Sequence, residues 1–216
     1  MGAEVWEELH QRYRYEIRGE YFYPEVLKEF TDGERVCDVG CGDMFYLENL
    51  KKDLTFVGVD FSPTALKSAK EKGKAELVLA DARKLPFRDK VMSIISSETF
   101  QYLVDDLEEA LLECRRVGSE KVIFSLPAYP GHAIKGASLE EEGEKTVFRY
   151  GVTPPKRVFK KGELKKLLEK CFRGLKKEVE GLTLGELVDL PPLTPWPGYL
   201  PRPESEAIFI VKVRLK

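Results

Sequence analysis

The feature that most constrains the fold of this chain is an apolar segment that ends in acid and glycine. Residues 36–43 read Val-Cys-Asp-Val-Gly-Cys-Gly-Asp. The pattern predicts a buried strand followed by a loop whose backbone approaches a ligand closely, because glycine has no Cβ and tolerates unusual dihedral angles. Alone it is weakly specific, since glycine turns after strands serve many cofactors. The segments that follow make the interpretation more specific.

Two more apolar segments also end in an acid. Residues 54–59 lead into Asp60, and residues 75–80 lead into Asp81. The carboxyl ends of strands form the edge at which open α/β sheets bind ligands. Asp60 lies 20 residues beyond Gly40, a separation at which a second-strand carboxylate meets a ribose diol. The spacing therefore indicates a ligand that contains a ribose.

Strand and helix signals alternate along the chain, which predicts a parallel sheet with helices on both faces. Ser62 and Pro63 mark the start of one helix and Gly73 its end, because serine caps helices and proline suits their first turn. Asp105 or Asp106 is predicted to cap the next helix. Further strands are predicted at residues 92–96, 121–126 and 207–215, and a helix at residues 164–172.

In these motifs the chain resembles the class I S-adenosylmethionine-dependent methyltransferases, in particular the small-molecule branch that includes ubiquinone and menaquinone biosynthesis. Residues 38–42 resemble the first motif of that family, and residues 59–63 the segment after its second strand. Residues 80–87 resemble its adenine-binding loop, and residues 95–98 the end of its fourth strand. The resemblance covers residues 34–127 well and the remainder loosely. Four motifs in one order are more specific than any one of them.

The resemblance implies an α/β, Rossmann-like, doubly wound fold with a mostly parallel seven-stranded sheet and an antiparallel last strand. It implies a single methyltransferase domain over residues 1–216. Within it we expect an N-terminal helical cap (1–32), a cofactor-binding core (33–127), an insertion (128–160), and a C-terminal helix with strands and a proline-rich loop (161–216).

The same resemblance implies the cofactor and the residues that hold it. S-adenosylmethionine is the expected cofactor. The residues matching the cofactor-binding motifs are Asp38, Gly40, Cys41, Gly42, Asp60, Phe61, Asp81, Ala82 and Ser97.

One position departs from the family pattern. A third glycine usually follows Gly42 by two residues, and this chain has Met44 there. That side chain either narrows the pocket beside the methionine moiety or points away from it. A dinucleotide site fits less well, because its Gly-x-Gly-x-x-Gly pattern would need glycine in place of Phe45.

Catalysis by this family is in-line displacement of a methyl group, so alignment supplies much of the rate enhancement. The candidate catalytic residues are Glu98 and Tyr102. Glu98 could take a proton, position an amine, or hold the loop by a structural hydrogen bond. No metal is expected: a metal-dependent phenol subgroup carries a Glu-His pair near Gln101 and Tyr102, and the spacing of Cys37 and Cys41 is not that of a zinc pair.

Composition excludes some classes of partner and location. The net charge is −2 and the pI about 5.9, so no global basic field draws the chain to nucleic acid. No apolar run reaches the ~18 residues of a membrane span, and the start lacks the regions of a signal peptide. We therefore expect a cytoplasmic protein. One Asn and two Gln among 33% charged residues indicate a thermophilic source.

Residues 156–177 are locally basic, with ten Lys or Arg and two acids. They are either the solvated face of an amphipathic helix, which we favour, or a patch for RNA or another anionic substrate. The expected partner is thus a small-molecule methyl acceptor, with RNA or protein as the alternative. A non-catalytic scaffold that binds S-adenosylmethionine is a further alternative. Monomer and homodimer both stay open.

Overall fold

The computed structural model describes residues 22–129, 138–149, 154–183 and 206–216. Within these ranges the chain forms ten strands in two sheets. The strands are β1 (Arg35–Val39), β2 (Thr55–Asp60), β3 (Ala75–Leu79), β4 (Met92–Ser96), β5 (Gly118–Pro127), β6 (Ser138–Glu142), β7 (Lys145–Arg149), β8 (Lys156–Val158), β9 (Lys176–Thr183) and β10 (Glu206–Arg214).

Seven strands make the larger sheet, in the order β3-β2-β1-β4-β5-β10-β9. The first five are parallel, and β10 lies antiparallel to both β5 and β9. The strand order reverses direction between β1 and β4, which is where ligands bind in open α/β sheets. The predicted fold class, including the antiparallel last strand, is confirmed.

The described residues also form four helices and three short 3₁₀ turns. The helices are α1 (Phe22–Val26), α2 (Pro63–Lys70), α3 (Leu107–Val117) and α4 (Lys161–Cys171). The 3₁₀ turns span Leu27–Glu29, Phe45–Asn49 and Phe100–Tyr102.

The predicted start of α2 is confirmed, because the Ala65 N–H donates to Ser62 Oγ at 3.1 Å. At α3 the prediction is half right. Asp106 occupies the capping position but its side chain caps nothing there. It accepts a hydrogen bond from Arg83 instead.

The core consists of two apolar layers, one on each face of the large sheet. Successive strand residues point to opposite faces, so Val36 packs with α1 while its neighbour Cys37 packs with α3. Burial on both faces explains why the central strands read as continuous apolar runs. Their acidic ends are thereby fixed at one edge.

The predicted insertion contains a second, three-stranded antiparallel sheet in the order β6-β7-β8. It is attached beyond the end of β5, where the Tyr129 N–H donates to the Phe159 carbonyl and the Phe159 N–H to the Pro127 carbonyl, both at 2.9 Å. The expected N-terminal cap falls within the described residues only from Phe22 onward. The proline-rich segment 188–204 lies outside them.

Candidate functional site

The glycine turn after β1 is tied to the end of β2 by backbone hydrogen bonds. The N–H groups of Gly40 and Cys41 donate to the Val59 carbonyl at 2.7 and 3.0 Å. The Gly42 N–H donates to Asp60 Oδ2 at 2.9 Å, and the Ser62 N–H donates to Asp60 Oδ1 at 2.9 Å. Asp60 therefore organises the turn as well as lying beside it.

Glycine is required at position 40 for two reasons. Its φ is +72°, and a Cβ placed on it would lie 2.1 Å from Thr99 Oγ1. Thr99 follows β4 and its hydroxyl donates to the Gly40 carbonyl at 3.2 Å. The loop after β4 thus packs directly on the glycine turn. Gly42 also has positive φ, +55°, but a Cβ there would meet nothing within 4 Å.

Met44 does not narrow the space above the turn. Its backbone is left-handed, with φ 49° and ψ 40°, and its side chain is 1% exposed. The side chain packs in the apolar layer with Phe56 and Ile95. Of the two possibilities that the sequence leaves open, the structure supports the one in which the side chain points away.

Asp38 is fully buried between two tyrosines. Tyr46 Oη donates to Asp38 Oδ2 at 2.9 Å and Tyr23 Oη donates to the same oxygen at 3.1 Å. The two rings stack with centroids 3.7 Å apart. Burial raises the pKa of Asp38 to about 7, although both hydrogen bonds oppose that shift. Since Asp38 has no exposed surface, its evident role is to anchor α1 beside the turn.

Apolar surface lies beside Asp60 at the end of β2. Phe61 is 38% exposed and Leu79, which pairs with Asp60 in the sheet register, is 59% exposed. Asp81 and Ala82 follow Leu79 in the chain, and both are half-buried. Burial of apolar side chains is the rule, so exposed ones next to a buried carboxylate indicate a ligand surface.

Asp81 is bound by a neighbouring arginine. Arg83 donates to both of its carboxylate oxygens, through Nε at 3.0 Å to each and through Nη2 at 2.5 Å to Oδ2. These hydrogen bonds hold the pKa of Asp81 below its usual range. Arg83 also donates through Nη1 to Asp106 Oδ2 at 2.6 Å.

The end of β4 carries a strained residue held in place by two partners. Glu98 has φ +53°, in the left-handed region that costs an ordinary residue about 1–2 kcal/mol. Its N–H donates to Ser125 Oγ at 3.0 Å, and Gln101 Nε2 donates to its Oε2 at 2.5 Å. Backbone strain of this kind clusters at functional sites.

Two buried polar atoms in the same loop have no hydrogen-bond partner among the described residues. They are Ser97 Oγ and Gln101 Oε1. Buried polar groups are normally paired, so such atoms call for an explanation. Together with the Glu98 carboxylate they make the loop after β4 rich in hydrogen-bond acceptors.

Tyr102, the other catalytic candidate, lies beside the second sheet. The Lys156 ammonium of β8 is 5.3 Å from the centroid of its ring. The Lys160 ammonium is likewise 5.2 Å from the centroid of the Tyr129 ring. The second sheet thus borders the carboxyl end of β4 and β5.

No cluster of three or more His, Cys, Asp or Glu side chains that could hold a metal occurs in the described ranges. Burial raises the pKa of the Cys37 and Cys41 thiols well above the ordinary value. Within those same ranges, every helix is too short or too polar to cross a bilayer.

Comparison with known proteins identifies the segment that builds this site. Residues 37–125 match the family profile described as a methyltransferase domain. Within these residues the chain is similar to a methyltransferase domain. A 99-residue segment is also 36% identical to a curated protein of Methanocaldococcus jannaschii named as uncharacterized. That match covers 46% of this chain and 38% of the length of the relative.

Solved structures share the fold over most of the chain. A Thermotoga maritima protein, described as an S-adenosylmethionine-dependent methyltransferase and possible histamine N-methyltransferase, is 18% identical with a TM-score of 0.68, and 100% of each chain is covered. A Pyrococcus horikoshii protein is 22% identical with a TM-score of 0.67, covering 92% of this chain and 90% of its own. A methyltransferase of Mesorhizobium loti is 17% identical with a TM-score of 0.65, covering 91% and 98%.

The family match over residues 37–125 and the shared fold agree with the prediction of a class I methyltransferase that uses S-adenosylmethionine. Hydrogen bonds bring Gly40, Gly42 and Asp60 together at the carboxyl ends of β1 and β2, with Phe61 next in the chain. The small-molecule branch and the individual site residues stay predictions.

The residues present fit the cofactor that the family uses. Asp60 is a carboxylate of the kind that binds a ribose diol, Phe61 and Leu79 offer apolar surface for a base, and a Cβ on Gly42 would meet nothing within 4 Å. The sequence motifs do not mark six residues that contact or border this site: Tyr23, Tyr46, Leu79, Arg83, Thr99 and Gln101. Of these, only Arg83 carried a local signal, because it follows Asp81 by two residues.

Proposed function

We propose that this chain transfers a methyl group from S-adenosylmethionine to a small-molecule acceptor, and that Glu98 positions the acceptor. The observation that carries this proposal is the loop after β4, where strained Glu98 adjoins Thr99, which packs on Gly40 of the glycine turn. The cofactor, when bound, supplies a methyl group on a positively charged sulfur, which is an activated electrophile. The remaining task of the protein is to bind and orient the acceptor.

The chemistry of this loop favours an acceptor that donates hydrogen bonds. The Glu98 carboxylate is held by Gln101, and Gln101 Oε1 and Ser97 Oγ are buried without a partner among the described residues. Oxygen acceptors complement N–H or ammonium groups. An amine acceptor is therefore the first candidate, with Glu98 orienting it and receiving the proton that the methylated nitrogen loses.

The size of the acceptor follows from the second sheet. β8 places Lys156 beside Tyr102, next to the end of β4, and the Phe159 backbone is hydrogen-bonded to the end of β5. The second sheet thus limits the space on the acceptor side of the site, which suits a small molecule better than a polymer. RNA is the second candidate because of the basic residues 156–177.

The lysines of residues 156–177 argue against that second candidate. Lys160 pairs with Glu141 at 2.6 Å and Lys166 with Glu144 at 3.2 Å. Lys170 pairs with Glu108, and Lys177 pairs with Glu169 at 3.0 Å. Charges already paired with acids attract phosphates less, so these residues are better explained as a solvated, ion-paired surface.

The proposal is tested by following S-adenosylhomocysteine production with a panel of small amines, phenols and thiols. Turnover of an amine by the parent, with a raised KM in Glu98→Gln and little change in affinity for S-adenosylhomocysteine, is the expected result. Tyr102→Phe is the comparison variant, since it removes the hydroxyl group of Tyr102, the other candidate catalytic residue. Turnover that survives Glu98→Ala unchanged would overturn the role of Glu98, and selective turnover of RNA would overturn the small-molecule acceptor.

A further inference from the structure

The acid predicted to bind the adenine is already hydrogen-bonded to a neighbouring arginine through both of its oxygens. Oδ1 of Asp81 accepts the backbone N–H of Arg83 at 2.9 Å and its Nε at 3.0 Å. Oδ2 accepts the same Nε at 3.0 Å and Nη2 at 2.5 Å. A carboxylate offers about four lone-pair sites. Three N–H groups of Arg83 therefore contact the two oxygens of Asp81, and the Nε–H is shared between them.

Arg83 is also held from its other side. Its Nη1 donates to Asp106 Oδ2 at 2.6 Å. Asp106 stands at the start of α3, and its side chain makes no helix-capping hydrogen bond. The planar guanidinium is thus fixed between two carboxylates, a geometry that suits arginine and that lysine cannot reproduce. We call Asp81, Arg83 and Asp106 the Arg83 clasp.

The Arg83 clasp lies at the base end of the site. Leu79 pairs with Asp60 in the register of β2 and β3, and the Ala80 N–H donates to the Asp60 carbonyl at 3.1 Å. Asp81 follows directly, so its carboxylate borders the edge where Phe61 and Leu79 are exposed. A base placed on that apolar surface would meet the clasp with its polar edge.

We infer that Arg83 withholds Asp81 from the exocyclic amino group of the adenine, so that the base is held mainly by apolar contact and by backbone groups. This inference rests on the proposed assignment of the edge to the cofactor. An amino group arriving at Asp81 must compete with the three N–H groups of Arg83 for the two carboxylate oxygens. Arg83 is in this sense a specificity-determining residue: it weakens the selection of a 6-amino purine over other purines.

The test compares two ligands that differ only in that amino group. They are S-adenosylhomocysteine and its 6-deamino analogue, in which hydrogen replaces the amino group while the ring nitrogens stay unchanged. Calorimetric titration of the parent should give dissociation constants within about threefold of each other. Arg83→Ala frees Asp81, so S-adenosylhomocysteine should then bind about tenfold or more tightly than the analogue, as expected for a hydrogen bond to a charged acceptor.

Two further variants show whether the effect passes through Asp81. The quantity compared is the ratio of the dissociation constant of the 6-deamino analogue to that of S-adenosylhomocysteine. Arg83→Ala combined with Asp81→Ala should return this ratio to the parent value. Arg83→Lys keeps the positive charge but lacks the forked N–H groups of the guanidinium, so it leaves acceptor sites on Asp81 free. It should therefore raise the ratio severalfold, and it provides the test if Arg83→Ala folds poorly. Arg149→Ala is the matched control. Arg149 also joins two carboxylates, Glu140 and Glu142, but in the β6–β7 hairpin, so the ratio should stay at the parent value.

The outcomes separate the inference from the assignment beneath it. A parent that already prefers S-adenosylhomocysteine tenfold, or a ratio unmoved in both Arg83 variants, would overturn the inference while leaving the cofactor site standing. A loss of that preference in Arg83→Ala would show instead that Arg83 orients Asp81 for the base. A folded parent that binds neither ligand would overturn the cofactor site and the inference with it.

Discussion

The sulfur of Met44 lies over Gly58 of the neighbouring strand, where a Cβ would stand only 2.6 Å from it. The two residues are complementary: the missing side chain on β2 makes room for the methionine under the glycine turn. Met44 keeps the left-handed backbone, φ 49°, that explains why the family usually has glycine there. The departure from the family pattern thus preserves the shape of the turn and fills the core beneath it.

We expect Met44→Gly to destabilise the fold without changing cofactor affinity. Removing a buried methionine side chain costs about 2–5 kcal/mol, and relief of the left-handed backbone returns about 1–2 kcal/mol. The free energy of unfolding, measured by urea denaturation, should therefore fall by up to about 4 kcal/mol. The dissociation constant of S-adenosylhomocysteine should stay within about threefold of the parent value.

Met44→Leu is the matched control, because it keeps the volume and the backbone strain. It should cost less than about 1.5 kcal/mol. If Met44→Gly left stability unchanged and tightened S-adenosylhomocysteine binding tenfold or more, Met44 would belong to the pocket and not to the core.

The two glycines of the turn should respond differently to alanine. A Cβ on Gly40 would collide with Thr99 at 2.1 Å, whereas a Cβ on Gly42 would meet nothing within 4 Å. Gly42→Ala should therefore lower stability by about 1–2 kcal/mol, mainly because alanine is strained at a positive φ. Gly40→Ala adds displacement of the loop after β4, so it should lower stability by a further 1–3 kcal/mol or so, and it should also abolish methyl transfer.

Thermal unfolding and turnover measured on both glycine variants check this expectation. Combining Gly40→Ala with Thr99→Gly removes the collision but keeps the positive φ. That double variant should regain most of the extra stability lost. Equal losses in Gly40→Ala and Gly42→Ala would mean that Thr99 gives way easily and does not define the turn.

The strand ends and the direction of the sheet follow from the sequence because each is a local pattern. Apolar segments 36–39 and 54–59 carry acids at their ends, and the Ser62–Pro63 start of α2 needs only neighbouring residues. Buried parallel strands and helix caps are specified over short stretches. The fold class could therefore be predicted before any contact was known.

What the sequence could not predict depends on contacts between distant segments or on strands without an apolar pattern. Tyr23 lies 15 residues from the carboxylate it binds at Asp38, and Thr99 lies 59 residues from Gly40. The strand β6 reads Ser-Leu-Glu-Glu-Glu with every residue exposed, so no alternation of apolar and polar residues marks it. Its acids are satisfied by basic residues from other segments, such as Arg149.

Asp38 should make stability depend on pH. Its folded pKa, about 7, lies above the ordinary aspartate pKa of 3.8, so the folded state binds more protons than the unfolded state between these values. The contribution of Asp38 to stability is therefore greatest at acidic pH and falls as pH rises toward 7. Relative to the parent, Asp38→Asn should gain about 3 kcal/mol between pH 5 and pH 8.

Denaturant unfolding of both proteins at several pH values provides the measurement, and their difference removes the effect of other titrating groups. Tyr46→Phe is the companion variant. It deletes the 2.9 Å hydrogen bond that favours the ionised form of Asp38, so its stability should fall with pH at least as steeply as in the parent. A difference between Asp38→Asn and parent that is flat from pH 5 to pH 8 would show that Asp38 stays ionised or hydrated when folded.

The basic residues of α4 provide the sharpest separation of small-molecule from RNA acceptors. Lys166 and Lys170 are paired with Glu144 and Glu108, and α4 buries Leu164, Leu167 and Leu168 on its other side. The helix thus has a complete structural explanation as an amphipathic element with an ion-paired outer face.

We therefore expect a triple replacement, Lys165→Gln with Lys166→Gln and Lys170→Gln, to leave affinity for S-adenosylhomocysteine and methyl transfer nearly unchanged. The parent should show no salt-sensitive binding to RNA, measured by fluorescence anisotropy across a range of salt concentrations. If these lysines contact phosphates instead, parent affinity should fall steeply with salt and the triple variant should flatten that slope. A tight RNA complex that collapses in the triple variant would overturn the small-molecule acceptor while leaving the methyltransferase domain and its cofactor in place.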